Sequence, residues 1–418
     1  MVTPSHLDHP ELSDFIADRM EYRCTMVQEW LSRAGSLPLS ITLSTQSGEP
    51  LEQVHRRLVD IVVQFLDRCQ HLELMLVTTG EAYDILLRVG AAQLPRLHEL
   101  NIYSLRLRTS TLKLLEHGLL TTSSLRKLSI GHLPMQGPSD ITPVPLNWRH
   151  LKSLYIGNSM PLGWIHQLLR HCSRLVHCRL RIKKGGSIKN YEPIPLPDLR
   201  KLYIYQDCHN VDLLYSILAA PGLRTLDCFE FILPGNETPP SILRLLPGII
   251  LLQKLVINPH VFKKQEIEEC FTLVSSIKHL VLGKTIEDVP WTMPYPDVDH
   301  LASLTTEHFS EFGVDAPCLL LPNLEILEAY GSPLTDKQLL DFIIKRLDPS
   351  VHLTSRLNSV IVAFGRVKQM DISRQVEYHA RGVGVEKFAL ELTYKETNLF
   401  QGLSPSLGLI NDRFFWRN

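Results

Sequence analysis

The densest collection of side chains able to do chemistry is the stretch HQLLRHCSRLVHC, which holds His166, His171, Cys172, His177 and Cys178. Imidazoles and thiolates are zinc ligands, and structural zinc favours C-x(2–4)-C and H-x(3–5)-H spacings. Here His171-Cys172 and His177-Cys178 give no C-x-x-C, and the segment crosses from a helix end into a strand. Cys178 also takes the place of a leucine in a repeated hexad, which directs it into a core. No metal site is expected.

Two glycine-containing stretches have the wrong spacing for phosphate. RGVGVEK (Arg381 to Lys387) lacks G-x-G-x-x-G and precedes a strand pattern, and KKGGSIK lacks a closing G-K-[ST]. Both are turns. Neither G-x-S-x-G nor H-E-x-x-H occurs. The carboxylates of QEIEEC (Glu266, Glu268, Glu269) belong to the solvated face of a helix. No catalytic residue and no cofactor is expected, and an enzyme ranks below every binding role.

The elements that position side chains in this chain are hexads of the form L-x-x-L-x-apolar. Five are near identical: LHELNI from Leu97, LRKLSI from Leu125, LKSLYI from Leu151, LRKLYI from Leu199 and LQKLVI from Leu252. Looser copies start at Cys69, Leu175, Leu223, Ile277, Leu301, Leu324 and Leu357. The copies from Leu151 to Leu223 begin 24 residues apart, within the range of leucine-rich repeats and unlike any helical period. In L-x-L the two apolar residues share one face of a strand and the residue between them takes the other. One such strand cannot bury its apolar face alone, so neighbours must stack into a continuous parallel sheet.

The predicted fold is therefore α/β: a leucine-rich-repeat solenoid (horseshoe) with a parallel β-sheet on the concave face and a mixed helical and extended convex face. Helical returns are predicted near 110–119, 163–172, 211–219, 263–274, 336–347 and 373–381. Other returns are Pro-rich, and carry Tyr191, Trp291 and Tyr295 along one rim. The predicted organisation is a non-repeat segment 1–22, an N-terminal cap 23–68, about 12–13 irregular repeats over 69–393, and a tail 394–418. The cap reads as a short helix Met26 to Arg33, a strand Leu37 to Leu43 and a long amphipathic helix running to Cys69. It covers the otherwise open end of the sheet.

On such a sheet the outward residues are the ones free to bind. The predicted protein-binding set is Tyr103, Tyr155, Arg179, Arg181, Tyr203, Tyr205, Phe229 and Tyr330. Tyrosine and arginine are enriched at binding hot spots. Tyr155, Arg179 and Tyr203 would form a stripe ~10 Å wide at the ~4.8 Å strand spacing.

Composition narrows the partners. The 418 residues include 43 basic and 44 acidic ones, a net charge of −1, so no overall field favours nucleic acid or an anionic membrane. Eight cysteines without paired spacing fit reduced, buried thiols in a cytoplasmic or nuclear protein. The first residues have no basic start or apolar core of a secretory signal, and the apolar run Leu245 to Leu252 is broken by Pro247 and too short to span a bilayer.

The phrase WLSRAGSLPLS (Trp30 to Ser40), followed by a strand, a long helix and irregular L-x-x-L-x-I repeats, resembles the fungal families of F-box leucine-rich-repeat proteins. In those families the phrase sits just after the F-box and opens the solenoid. The resemblance runs from about residue 23 to near the end of the chain. It implies a protein target, and the substrate-receptor surface of a cullin-type ubiquitin ligase. A family F-box opens with L-P-x-E-[IL], and no L-P-x-E precedes Met26. The adaptor-binding module is thus expected to be missing, and a cullin-ligase adaptor is expected as a partner only if an F-box lies upstream. The alternative is a stand-alone scaffold with the same surface.

Overall fold

The computed structural model describes residues 10–44, 52–76, 89–104, 119–131, 148–183, 192–206, 214, 218–230, 240–283, 304, 307–308, 318–332, 334–351, 353, 355–385 and 387–394. The chain forms two units, Met1–Phe262 and Lys263–Asn418.

The first unit carries nine strands paired in parallel: β1 (Leu39–Ser44), β2 (Cys69–Leu76), β3 (Glu99–Ser104), β4 (Lys127–Ile130), β5 (Ser153–Pro161), β6 (His177–Lys183), β8 (Lys201–Gln206), β10 (Thr225–Glu230) and β11 (Lys254–Ile257). Short β7 (Ile194–Pro195) and β9 (Leu218–Ala219) pair with each other, in parallel, on the returning segments. Every hexad in this unit places its strand in the same register. Leu100, Leu128, Leu154, Cys178, Leu202, Leu226 and Leu255 follow one another across the sheet, and each is at most 2% exposed. β6 alternates exposed and buried residues along most of its length, as a strand with one face on a core must. Full burial of one such leucine stabilises the fold by roughly 1.5–3 kcal/mol.

The first leucine of each hexad turns the chain into its strand. Behind it runs a spine of shared carbonyls. His98 O accepts the N–H groups of both Arg126 and Lys127, Arg126 O those of Lys152 and Ser153, Lys152 O those of Val176 and His177, and Val176 O those of Arg200 and Lys201. Each repeat therefore seats the next without help from side chains, satisfying the backbone groups that a turn would otherwise leave open.

The cap is built from α1 (Pro10–Arg33), β1 and α2 (Glu52–Val63). α1 is much longer than the predicted Met26-to-Arg33 helix, and Pro10 at its first position costs no hydrogen bond. Gly35, with φ of 55°, ends it. Cys24, Leu31, Leu39 and Ile61 form the cap's core, and Arg68 donates from Nη2 to Leu31 O at 2.9 Å. The return between β5 and β6 contains α3 (Leu162–Arg170), within the predicted range. Of the helix predicted over 211–219, Leu218 and Ala219 form β9 instead, because Leu218 pairs with Ile194. The helix predicted over 110–119 falls almost wholly outside the described residues.

The second unit has α4 (Lys264–Leu273), β12 (His279–Leu282), β15 (Ile326–Ser332), α5 (Asp336–Leu347), β16 (Ser359–Phe364), α6 (Ser373–Gly382) and β17 (Ala389–Thr393). Its four long strands pair in parallel in chain order, and β13 (Glu307–His308) pairs antiparallel with β14 (Cys318–Leu319). β12 pairs directly with β15. The hexad copy at Leu301 therefore contributes no strand between them. It ends in Thr305-Thr306, without the last apolar residue that would anchor a strand. Its Leu304 is buried, and its carbonyl accepts from Nη2 of Arg346 at 2.9 Å. Arg346 is itself 1% exposed, also donates to the carbonyls of Leu320 and Leu321, and burial lowers its pKa to about 10.

Asp336, at the first turn of α5, gathers this unit together. Its carboxylate accepts from the Gln369 and Met370 N–H groups at 2.8 Å each, from Arg366 Nη2 at 3.1 Å and from the Tyr394 hydroxyl at 2.9 Å. The rings of Phe364 and Tyr394 stack at 4.8 Å, and the Arg366 guanidinium lies 4.3 Å over Phe364. Thr335 caps α5 by accepting from the Gln338 N–H at 3.1 Å.

Candidate functional site

The face of the first unit's sheet opposite the leucines presents three rows of side chains. Register aligns the central row as Glu73, Asn101, Ser129, Tyr155, Arg179, Tyr203, Asp227 and Val256. Tyr155, Arg179 and Tyr203 therefore stand side by side on β5, β6 and β8, as the hexad alignment predicts.

Arg179 is held between two rings. Its guanidinium carbon lies 4.9 Å from the Tyr155 ring centroid and 5.1 Å from that of Tyr205, and its Nη2 donates to the Tyr205 hydroxyl at 3.4 Å. Tyr205 is the diagonal neighbour, two residues beyond Tyr203 on β8, a distance long side chains cross readily. The cation is thus presented at a fixed place on an exposed strand, at modest entropic cost on binding.

The other predicted residues divide by place. Arg181 is exposed and sits opposite Tyr205 in register. Tyr103, 39% exposed, lies on β3, with its Cδ1 only 2.8 Å from where a Cβ on Gly131 would stand. Phe229 is opposite Tyr205 on β10, and its side chain lies outside the described residues. Tyr330 belongs to the second unit, where its hydroxyl donates to Glu328 Oε2 at 2.8 Å, while Glu328 Oε1 is 2.6 Å from His279 Nε2. Burial, then Glu328, raises the Tyr330 pKa to about 12. Tyr191, Trp291 and Tyr295 of the Pro-rich returns lie outside the described residues.

A row that the sequence reading passed over is the third hexad position, immediately before the second leucine. It reads His71, Glu99, Lys127, Ser153, His177, Lys201, Thr225 and Lys254 across the sheet. At its start Glu99 lies 3.2 Å from His71 Nδ1 and 3.3 Å from Lys127 Nζ. Partial burial raises the Glu99 pKa, but Lys127, Asn101 and His71 outweigh it and hold the carboxyl low. Further along, burial and then the charges of Lys201 and Lys127 hold the His177 imidazole below its usual pKa. The row could have been found by aligning hexads on that position as well as on the residue after the second leucine.

The histidine–cysteine cluster takes different places in the fold. Cys172 and Cys178 are buried at 0% and 1%, while His171 and His177 are exposed. Burial raises the thiol of Cys172 to about 12 and holds that of Cys178 well above its usual value. Among the described residues no group of three or more His, Cys, Asp and Glu side chains could hold a metal ion, and no helix is long and apolar enough to cross a membrane.

No family model and no curated protein matches the chain. Among solved structures, it is similar to a chain in the crystal structure of the Rad7 and Elc1 complex in yeast, at 16% identity over 72% of this chain and 71% of that chain, with a TM-score of 0.42.

Proposed function

We propose that the parallel strands are turns of a leucine-rich-repeat solenoid, and that their outward face captures a protein target. The observation that carries this reading is Arg179 fixed between Tyr155 and Tyr205 on exposed strands, backed by a core that needs none of the three. Aromatic rings and a guanidinium concentrated at one place are the residue types of a binding hot spot.

The target is captured for ubiquitylation, as the substrate-recognition part of an F-box-type ligase receptor. Supporting this is the WLSRAGSLPLS phrase, which spans the end of α1, the Gly35 stop and the start of β1, where the resemblance expects the sheet to open. The test is affinity purification of the full chain beside Tyr155→Ala/Arg179→Ala/Tyr203→Ala. The variant should lose the target and keep whatever cullin adaptor the unaltered chain brings down. Unchanged target binding removes the face from the account. A target-bearing complex without adaptor assigns the chain to a stand-alone scaffold.

A further inference from the structure

Between β4 and β8 the outward face is a patch of one sign. Lys127, His177 and Lys201 occupy the first row, Arg179 the second and Arg181 the third, and all five are exposed. The carboxylates flanking this patch in the central and first rows are Glu99, already engaged by Lys127 and His71, and Asp227, which is 3% exposed. Lys201 makes no ion pair among the described residues. Burial first, and then the charges of Lys201 and Lys127, hold the His177 imidazole toward the neutral form.

The chain as a whole carries a net charge of −1, so this positive field is local. The patch crosses three strand gaps, ~14 Å, and its cations recur along β6 at alternate residues, ~6.6 Å apart. An extended peptide repeats its side chains on one face at the same interval. We propose that this patch binds a carboxylate-rich, extended segment of the protein partner, a reading that rests on the face being a protein-binding one.

One observation favours an acidic protein segment over single-stranded nucleic acid. Proteins that bind single strands offer open aromatic faces on which bases stack. Here Tyr155 and Tyr205 each turn a face to the Arg179 guanidinium. A planar guanidinium braced in this way presents its remaining N–H groups as a fork for a carboxylate.

The test uses the full chain and a fluorescent peptide with glutamate at alternate positions, followed by anisotropy. A single-stranded oligonucleotide of equal charge serves as comparison. The peptide should bind, and added salt should weaken it. Arg179→Ala/Lys201→Ala should weaken binding about tenfold, and Arg179→Glu/Lys201→Glu should switch preference to a lysine-containing peptide. Arg170→Ala, on α3, should change nothing. Circular dichroism on each variant confirms that the fold is kept. Equal or tighter binding of the oligonucleotide overturns the proposal in favour of nucleic acid. If neither probe binds while the face still cross-links a protein target, the acidic-segment proposal falls and the protein-binding reading stands. If the face cross-links nothing either, both fall.

Discussion

Arg179 reaches past Tyr203, its partner in register, to place its guanidinium on the ring and hydroxyl of Tyr205, the diagonal neighbour on the same strand. The contact lies on the opposite side of β6 from Cys178 and Leu180, which are each 1% exposed. The packing face and the proposed binding face therefore lie on opposite sides of one strand.

That separation predicts a contrast in stability. Arg179→Ala and Tyr205→Ala should change unfolding free energy by no more than about 1 kcal/mol, the scale of an exposed cation–π contact. Leu154→Ala or Leu180→Ala should cost ~2–5 kcal/mol through lost burial and the cavity left behind. Denaturant unfolding of the four variants measures both. Large losses from the arginine and tyrosine changes would show that the face holds the sheet together.

Two glycines should differ sharply. A Cβ at Gly157 would stand 2.5 Å from Gly131 O, which the sheet fixes in place, whereas a Cβ at Gly131 would meet the movable ring of Tyr103. Gly157→Ala is expected to cost ~2–3 kcal/mol and Gly131→Ala about 1 kcal/mol or less. Adding Tyr103→Ala should relieve the Gly131 change and leave the Gly157 change untouched, a coupling that a double-mutant cycle reads directly.

Asp336 makes the second unit sensitive to acid. Desolvation alone would raise its pKa, but Arg366, the two backbone N–H groups and Tyr394 together hold the carboxyl below the usual aspartate value. A depressed folded-state pKa contributes stability that is present above the unfolded value, ~3.9, and is lost as pH falls through the folded value. Asp336→Asn should cost ~3–5 kcal/mol, since it leaves Arg366, 19% exposed, without its charge partner. The variant should also lose part of the acid dependence of the unfolding midpoint below about pH 4. An unchanged pH profile would remove Asp336 as its cause.

The buried thiols should be inert in the folded chain. Burial raises Cys69 and Cys172 to about 12 and holds Cys178 and Cys270 well above their usual value, so almost no thiolate exists at neutral pH. Mass spectrometry after brief alkylation should find these four unmodified until denaturant is added. Prompt labelling of Cys178 would contradict its inward placement on β6.

Much of this was legible in the hexads. Aligning LKSLYI, LVHCRL and LRKLYI sets Tyr155, Arg179 and Tyr203 side by side, because a side-chain period of two leaves no other assignment of faces. The alignment could not show that Arg179 leans to Tyr205, since that choice is one of rotamer. Nor could it show the irregularity in β5, where Tyr155 pairs with Arg179 but Ser159 with Arg181, so that three residues face one. The Leu301 copy misled because two of its three defining apolar positions fit, while pairing is decided by the strand on either side. The Asp336 network was invisible for another reason: its partners lie 30 to 58 residues away and no local pattern joins them.

The central claim is that the outward face at Tyr203 meets a protein. Replacing Tyr203 with a photoreactive phenylalanine analogue in the full chain, and irradiating it in cell extract, tests this most directly when Arg170 on α3 carries the same probe as control. A discrete protein adduct at position 203, lost on adding Arg179→Ala and absent from position 170, is the predicted result. Adducts at position 170 alone, or at both positions equally and indifferent to Arg179, would contradict it.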